Sequence, residues 1–246
     1  MSGSTTKSKA VMEAVGTGVL VLTIQVAVGG GGGGSKLAPL AIGLILMVMV
    51  YAGGPISGAH YNPAVSLAVV LRQKMDVPDM IIYWISQFVG GYLGAIVGGT
   101  IINGGSYVVV SRGAQATATQ AFVAEIVFTF ILCFVVLNVA TRSSASSTTK
   151  DNGYYGAAIG LTVTAGAITV GNISGGAFNP AVAVCLSVAS GGGKSLMYAV
   201  GTAIANFMGG ILAAVIFRIV APEEFAESSH VGVNGGTTTG ETTSLV

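Results

Sequence analysis

Two asparagines are the side chains best placed to act on a small molecule, because each opens a copy of the tripeptide Asn-Pro-Ala. The copies are Asn62-Pro63-Ala64 and Asn179-Pro180-Ala181. Proline suits the first position of a helix, since its missing N–H would have no partner there. Asparagine at the N-cap turns its side-chain oxygen toward the helix, which leaves its amide N–H2 group free to donate elsewhere. Each tripeptide therefore predicts a helix start that presents a hydrogen-bond donor and a positive helix end.

The helices that follow these tripeptides are too short to cross a membrane. The apolar segments cover about 62–71 and 179–189, and ten helical residues span ~15 Å, half of a hydrocarbon core of ~30 Å. Helices that lie flat at a membrane surface are usually amphipathic and basic, whereas these segments are rich in Val, Ala and Leu on all sides. We therefore expect two re-entrant half-helices buried inside the protein.

The amino-acid composition indicates which elements surround the two half-helices. Of 246 residues, 52% are apolar and 8% are charged, with a net charge of +1, whereas soluble domains carry about 25% charged residues. This excludes an ordinary cytosolic enzyme, and the near-zero charge excludes a nucleic-acid binder with a basic surface. Six longer apolar segments are candidates for membrane spans: about 11–28, 38–56, 81–102, 119–140, 155–171 and 196–220. The sequence predicts an all-α membrane protein with six transmembrane helices and two half-membrane helices.

The two halves of the chain repeat each other. Residues 41–65 match residues 158–182 without a gap, with 12 identities in 25 positions. Upstream, the segment around Glu13 matches the segment around Glu125 at a spacing of 112. Each copy holds three spans, so the second copy must enter the membrane inverted. Inverted repeats place their interrupted helices at the midplane, around a substrate path.

Inversion predicts that Asn62 and Asn179 face one conduit. Both positive helix ends then point at the same place, which repels cations and protons, while the amides orient a neutral molecule that carries an oxygen. Non-helical backbone is tolerated at this depth only where protein shields it or where it lines a wet cavity. We therefore expect the two loops to line the path with their carbonyl groups, through Gly58, Ala59, His60, Gly175 and Ala177.

Glu13 and Glu125 are ionisable groups inside apolar spans, and such groups are functional candidates. One interpretation is a proton relay. The other is that each carboxylate accepts hydrogen bonds from the backbone of a re-entrant loop. Because the two occupy the same place in each repeat, we favour the loop-supporting role.

These motifs together resemble the aquaporins, the major intrinsic protein family. Ser57–Val65 and Ser174–Ala181 match the two family signatures, and Glu13 and Glu125 match the glutamates of the first helix in each repeat. The resemblance covers about residues 10–220. It implies a right-handed six-helix bundle embedded in lipid, a pore in each subunit, and assembly as a homotetramer. It also implies passive permeation of water or small uncharged solutes, with no cofactor, metal or nucleic acid.

The selectivity constriction departs from the family pattern. Most members carry arginine after the second tripeptide, and this chain has Val182; the other constriction positions correspond to Ile42, Ala167 and Gly176. The resemblance thus implies a wide, uncharged, apolar filter. We expect a channel less strict than a pure water pore, with ammonia, urea, glycerol or hydrogen peroxide as candidate solutes. Whether Arg112 replaces the missing cation from its loop is left open.

Two other classes of function remain as alternatives. An ion-coupled secondary transporter also uses inverted repeats, but it would need ionisable groups at the midplane, where this chain offers only asparagine and backbone. A poorly conducting structural membrane protein would be compatible with an apolar filter. An enzyme is not expected, because no combination of nucleophile and base or of metal ligands is evident.

The domain boundaries and orientation follow from composition and charge. We expect a cytoplasmic segment at 1–10, a channel domain at 11–220 with repeats at about 11–102 and 119–220, and a disordered cytoplasmic tail at 221–246. With the N-terminus in the cytoplasm, seven basic residues lie inside and three outside, which agrees with the positive-inside rule. The inner set is Lys7, Lys9, Arg72, Lys74, Arg142, Lys150 and Arg218, and the outer set is Lys36, Arg112 and Lys194.

Overall fold

The computed structural model describes residues 4–30, 35–102, 107–142 and 153–226, and these residues form helices and connecting turns without strands. Six helices are long and apolar enough to cross a membrane, and they alternate with two half-length helices. In chain order the helices are α1 (Thr6–Gly29), α2 (Ala38–Ser57), α3 (Pro63–Leu71), α4 (Val77–Ile101), α5 (Ala118–Ala140), α6 (Tyr155–Ser174), α7 (Pro180–Ala189), α8 (Lys194–Val220) and α9 (Glu223–Ala226). The predicted six spans and two half-helices are confirmed.

Two segments differ from the boundaries expected from sequence. Helix α1 begins at Thr6, inside the expected N-terminal segment, because the Thr5 hydroxyl accepts a hydrogen bond from the Ser8 N–H and caps the helix. At the other end, Glu223–Ala226 form a short helix where a disordered tail was expected. The rest of the expected tail, 227–246, lies outside the described residues, as do parts of the connectors at 31–34, 103–106 and 143–152, the last of which includes Lys150.

Close helix crossings hold the bundle together. In the first repeat α1 packs on α4, and in the second α5 packs on α8. A Cβ at Gly90 of α4 would overlap the Ala14 carbonyl of α1, and a Cβ at Gly209 of α8 would press on the Ile126 carbonyl of α5. The repeats meet where Gly43 of α2 crosses α6, and no side chain fits there either. Small residues let membrane helices approach closely, so van der Waals contact can replace the absent hydrophobic driving force.

Helix α9 is fastened to the end of half-helix α3 through Arg72. The guanidinium group is 1% exposed, lies 2.5 Å from the Glu224 carboxylate and also donates to the Glu224 backbone carbonyl at 3.0 Å. The rings of Phe217 and Phe225 lie 5.1 and 4.8 Å from it. Arg142 pairs with Glu223 and Glu224 at the rim. The segment after α8 is therefore tied to the pore-forming half of the first repeat.

Replacing Glu224 with glutamine should destabilise the protein by about 3 kcal/mol, because removing one partner of a buried ion pair leaves a buried charge uncompensated. Partial detachment of α9 would let water reach Arg72, and would appear as faster proteolysis after residue 220. Thermal unfolding in detergent, combined with limited proteolysis, measures both responses. Glu223→Gln is the matched control, because its ion pair is half exposed and contributes less than about 1 kcal/mol. Equal behaviour of the two variants would contradict the prediction.

Candidate pore and selectivity site

The two loops that precede the half-helices have the same strained backbone. Helices α2 and α6 each end at a glycine with positive φ, Gly58 at +85° and Gly175 at +91°. Further along, Ala59 and Tyr61 have φ of +53° and +50°, and Phe178 has φ of +48°. Residues other than glycine in this region cost about 1 to 2 kcal/mol each. Contacts from the surrounding helices must therefore hold both loops in place.

A buried glutamate supplies those contacts to the first loop. Glu13 of α1 accepts hydrogen bonds from the Ser57 hydroxyl at 2.7 Å, the His60 N–H at 2.9 Å and the Tyr61 N–H at 2.7 Å. A fourth donor, the Gln87 amide of α4, lies at 2.8 Å. The carboxylate therefore fixes the loop backbone directly and is engaged on both of its oxygens.

The second loop is held in the same way. Glu125 of α5 accepts from the Ser174 hydroxyl at 2.7 Å, the Ala177 N–H at 3.0 Å and the Phe178 N–H at 2.9 Å. The Asn206 amide of α8 donates to it at 2.7 Å. Hydrogen bonds to a charged acceptor are about twice as strong as those between neutral groups. Each carboxylate therefore stabilises the backbone of its loop.

The helical residues that complete these networks were not predicted from the sequence. Gln87 and Asn206 supply the fourth donors, and the Tyr83 and Tyr198 hydroxyls donate to the Ser57 and Ser174 carbonyls at 2.6 and 2.8 Å. The Trp84 indole donates to the Pro63 carbonyl at 3.0 Å. One signal was available: Gln87 and Asn206 are 119 residues apart, the same spacing that separates the glycine pairs 90–91 and 209–210.

The two asparagine tips bind each other's loops. Asn62 and Asn179 cap their own helices through Oδ1, accepting from the Ala64 and Ala181 N–H groups at 2.9 Å. The Asn62 amide donates to the Phe178 carbonyl, and the Asn179 amide donates to the Tyr61 carbonyl, each at 2.8 Å. From the sequence we expected each amide group to be free to donate away from its own helix. One proton of each amide joins the two repeats in this way, and the other remains available.

A cavity of about 350 Å³ extends from the half-helix tips toward the connector between α1 and α2. Both asparagines line it, and so do His60, Ala59, Gly175 and Ala177, whereas Gly58 is exposed and is absent from its wall. The four expected constriction residues lie on the same wall: Ile42, Ala167, Gly176 and Val182. Val182 is 2% exposed, so its side chain forms part of a packed apolar surface. The lining contains no Asp, Glu, Lys or Arg side chain among the described residues.

The connector before α5 also reaches this cavity, which the sequence did not reveal. Residues 108–111 line the wall, and the connector is held by Gly113, whose N–H donates to the Ile173 carbonyl at 3.0 Å. Arg112 does not line the cavity; its guanidinium group is exposed and donates to the Ala116 carbonyl at 2.6 Å. Thus Arg112 does not occupy the place of the missing filter arginine in this structure.

Comparisons with known proteins agree with this architecture. The profile described as "Major intrinsic protein" matches residues 1–168 and 146–245. A glycerol uptake facilitator-like protein of Lactiplantibacillus plantarum is 32% identical over 196 residues, which are 75% of this chain and 85% of that protein. A probable aquaporin of Arabidopsis thaliana is 33% identical over 171 residues, 69% of this chain. An aquaglyceroporin structure from Plasmodium falciparum matches 90% of this chain and 100% of its own, with a TM-score of 0.73 and 23% identity.

The coverage of the relatives differs. The matched region spans 59% of the length of the Arabidopsis protein and 58% of an aquaporin of Methanothermobacter marburgensis that is 35% identical over 147 residues. The structural match shows a shared fold, and the sequence profile covers nearly the whole chain. The chain is a member of the major intrinsic protein family.

Proposed function

We propose that the protein is a passive channel for water and small neutral solutes. The observation that carries this proposal is the pair of asparagine amides, each with one free proton, on the wall of a single cavity whose remaining lining is mostly apolar. Two donors at one level orient a molecule that offers an oxygen. The relatives that match include proteins named as aquaporins and as a glycerol uptake facilitator.

Exclusion of ions follows from the same geometry. The N-termini of α3 and α7 both point at the cavity, and each carries a partial positive charge of about half a unit. A cation would meet these ends after losing its water, and no carboxylate on the cavity wall replaces its hydration. Neither Glu13 nor Glu125 lines the cavity, and each carboxylate already accepts four hydrogen bonds. This disfavours an ion-coupled transporter.

The apolar constriction broadens the range of solutes. An arginine after the second tripeptide would contribute five N–H donors and a fixed charge, and Val182 contributes neither. Ala167 and Gly176 add little bulk, and Ile42 adds no polar group. We infer that ammonia, urea, glycerol or hydrogen peroxide pass in addition to water. We also infer that both termini lie in the cytoplasm, where the positive-inside rule places the larger set of basic residues. Four copies assemble through the exposed apolar faces of their helices.

The test is osmotic shrinkage of proteoliposomes, with a pair of neighbouring substitutions on α6. Ala167 lines the cavity, whereas Ile168 is 67% exposed on the outer face of the same helix. Wild-type vesicles should shrink much faster than protein-free vesicles. Ala167→Phe should reduce water permeability about tenfold, because the ring enters the conduit and adds about 1.4 kcal/mol or more to the barrier.

Ile168→Phe provides the control, since it adds the same ring toward lipid and should leave the rate unchanged. If wild-type vesicles shrink no faster than protein-free vesicles, the protein is not a water channel. If the two variants lose permeability equally, the conduit does not run along this face of α6. Gradients of glycerol, urea and ammonium in the same vesicles determine which solutes accompany water.

A further inference from the structure

The cavity has one apolar end. Toward the connector between α1 and α2 its wall is formed by Ile24 and Val28 of α1, Ala38 and Pro39 of α2, and residues 108–111, and we call this part the entrance. Among these residues, the serine at position 111 alone has a polar side chain. In the described part of the chain, the other polar side chains on the cavity wall lie on the two re-entrant loops and at the half-helix tips. A solute that comes from this end therefore meets aliphatic side chains before it reaches the asparagine amides.

A buried amide of α1 holds the connector at the entrance. The Gln25 side chain is buried, and its Oε1 accepts a hydrogen bond from the Val108 N–H at 3.2 Å. At the spacing of 112 that aligns Glu13 with Glu125, Gln25 corresponds to Leu137, which is also buried. The second repeat thus keeps the shared fold with an aliphatic side chain at this position. The amide of Gln25 therefore serves the connector, which belongs to neither repeat.

The connector also packs directly on the second re-entrant loop. A Cβ at Gly175 would lie 2.8 Å from Val110 Cγ1 and 3.0 Å from the backbone of Ser111, and Val110 is 6% exposed. At Gly58, the equivalent glycine of the first loop, a Cβ would have only the ring of His60 within 4 Å among the described residues. The connector is therefore a packed wall of the entrance, and it makes the two ends of the conduit unlike.

An aliphatic wall discriminates between solutes by their number of hydroxyl groups. A hydroxyl group that leaves water costs free energy wherever no hydrogen-bond partner replaces the water, whereas an alkyl group gains free energy from the same transfer. Carbonyl groups of the second loop can accept a proton from a hydroxyl group, but they cannot donate one to its oxygen. Val182 offers no donor either. Of two solutes with the same carbon skeleton, the one with fewer hydroxyl groups should therefore cross a lower barrier.

We propose that the connector at 108–111, positioned by Gln25, is a specificity-determining wall of the channel and selects neutral solutes that carry alkyl surface over polyols. Propane-1,2-diol represents the favoured class, and glycerol represents the polyols. This selectivity rests on the proposed channel function, because it concerns which solutes accompany water through the same conduit.

The wild-type protein provides the first test, with two solutes that differ by one hydroxyl group. Proteoliposomes are exposed to gradients of propane-1,2-diol or glycerol, and the flux through protein-free vesicles is subtracted. Propane-1,2-diol should permeate about tenfold faster, because one hydroxyl group fewer leaves water and a factor of ten in rate corresponds to about 1.4 kcal/mol in the barrier. A ratio below about threefold would overturn the selectivity.

Water permeability of the same vesicles separates the two proposals. Protein that conducts water but shows no preference for propane-1,2-diol would contradict the selectivity and leave the channel function intact. Protein that conducts neither water nor solutes would contradict both.

A threonine substitution tests whether the connector forms the wall. Val109 is half-buried on the cavity wall, and Val109→Thr keeps the shape of the side chain while adding a hydroxyl group. Because the connector is not helical, this hydroxyl has no carbonyl four residues earlier to bond to. The permeability ratio of propane-1,2-diol to glycerol should fall at least threefold. Val97→Thr is the control, since Val97 is 47% exposed on α4 and does not line the cavity. Equal ratios in the two variants would overturn the role of the connector.

A second substitution tests the positioning role of Gln25. Gln25→Leu introduces the residue type of the equivalent position in the other repeat and removes the acceptor of the Val108 N–H. The connector should then leave the wall, so that the ratio falls toward one while water permeability is retained. Thr23→Val is the control, because it removes a hydroxyl that bonds only within α1, to the Val19 carbonyl. If Gln25→Leu conducts water and keeps the wild-type ratio, Gln25 does not position the connector.

Discussion

Glu125→Gln is expected to remove most of the folded, conducting protein, although it changes one oxygen into an NH2 group. The carboxylate accepts four hydrogen bonds, two on each oxygen, from Ser174, Ala177, Phe178 and Asn206. A glutamine amide turned either way presents N–H groups to two of these donors. Each buried donor left without an acceptor costs about 1 to 3 kcal/mol. The Ser174 hydroxyl can turn to the Val170 carbonyl and accept from the new amide, so one or two donors are lost and the loss is about 1 to 6 kcal/mol.

Because the loop before α7 has a strained backbone, losing its hydrogen bonds to Glu125 should disturb the pore. Phe178 has φ of +48° and its carbonyl accepts from the Asn62 amide. Once Glu125 no longer holds its N–H, the loop can relax to an ordinary conformation, and the cross-link between the repeats breaks with it. We therefore expect water permeability to fall along with the unfolding temperature.

Thermal unfolding in detergent and shrinkage of proteoliposomes measure the two effects. The control is Gln120→Ala on the same helix, because Gln120 is an exposed member of the capping box at the start of α5 and contributes about 1 kcal/mol. A Glu125→Gln protein that melts and conducts like the Gln120→Ala protein would show that the carboxylate does not support the loop.

The parts of the fold that depend on local chemistry could be predicted from the sequence. Pro63 and Pro180 determine where the half-helices begin, because proline and an asparagine cap suit the first turn and nothing distant is needed. The inverted arrangement followed from an odd number of spans in each repeat. It required only that Asn62 and Asn179 align at a constant spacing.

Most of the parts that depend on distant partners could not be predicted from the sequence. Arg72 and Glu224 are 152 residues apart. The sequence around each residue does not show whether the two form a buried ion pair or are two separate charges exposed to water. Tyr83 and Tyr198, which both donate to a loop carbonyl, are 115 residues apart. Gln87 and Asn206, which both donate to a buried glutamate, are 119 residues apart. The side chains thus act from adjacent turns of the two helices, and no single alignment register reveals both pairs.

Val182→Arg should narrow the range of solutes more than any other change to the cavity wall. Val182 lies on that wall and is 2% exposed, so a guanidinium group at this position must extend into the conduit. There it adds bulk, five donors and a positive charge. Water is small enough to pass and can replace its lost hydrogen bonds at the new donors. Glycerol and urea must shed more water in a narrower space.

For glycerol and urea we expect permeability to fall about a hundredfold, which corresponds to about 3 kcal/mol in the barrier, while water permeability changes less than about threefold. Retained water flux also shows that the variant is folded. Val182→Leu separates the causes, since it adds volume without charge and should reduce glycerol flux only slightly. If Val182→Arg leaves every solute flux unchanged, the constriction lies elsewhere in the protein. If leucine restricts glycerol as strongly as arginine does, width alone determines selectivity, and the missing cation has no part in it.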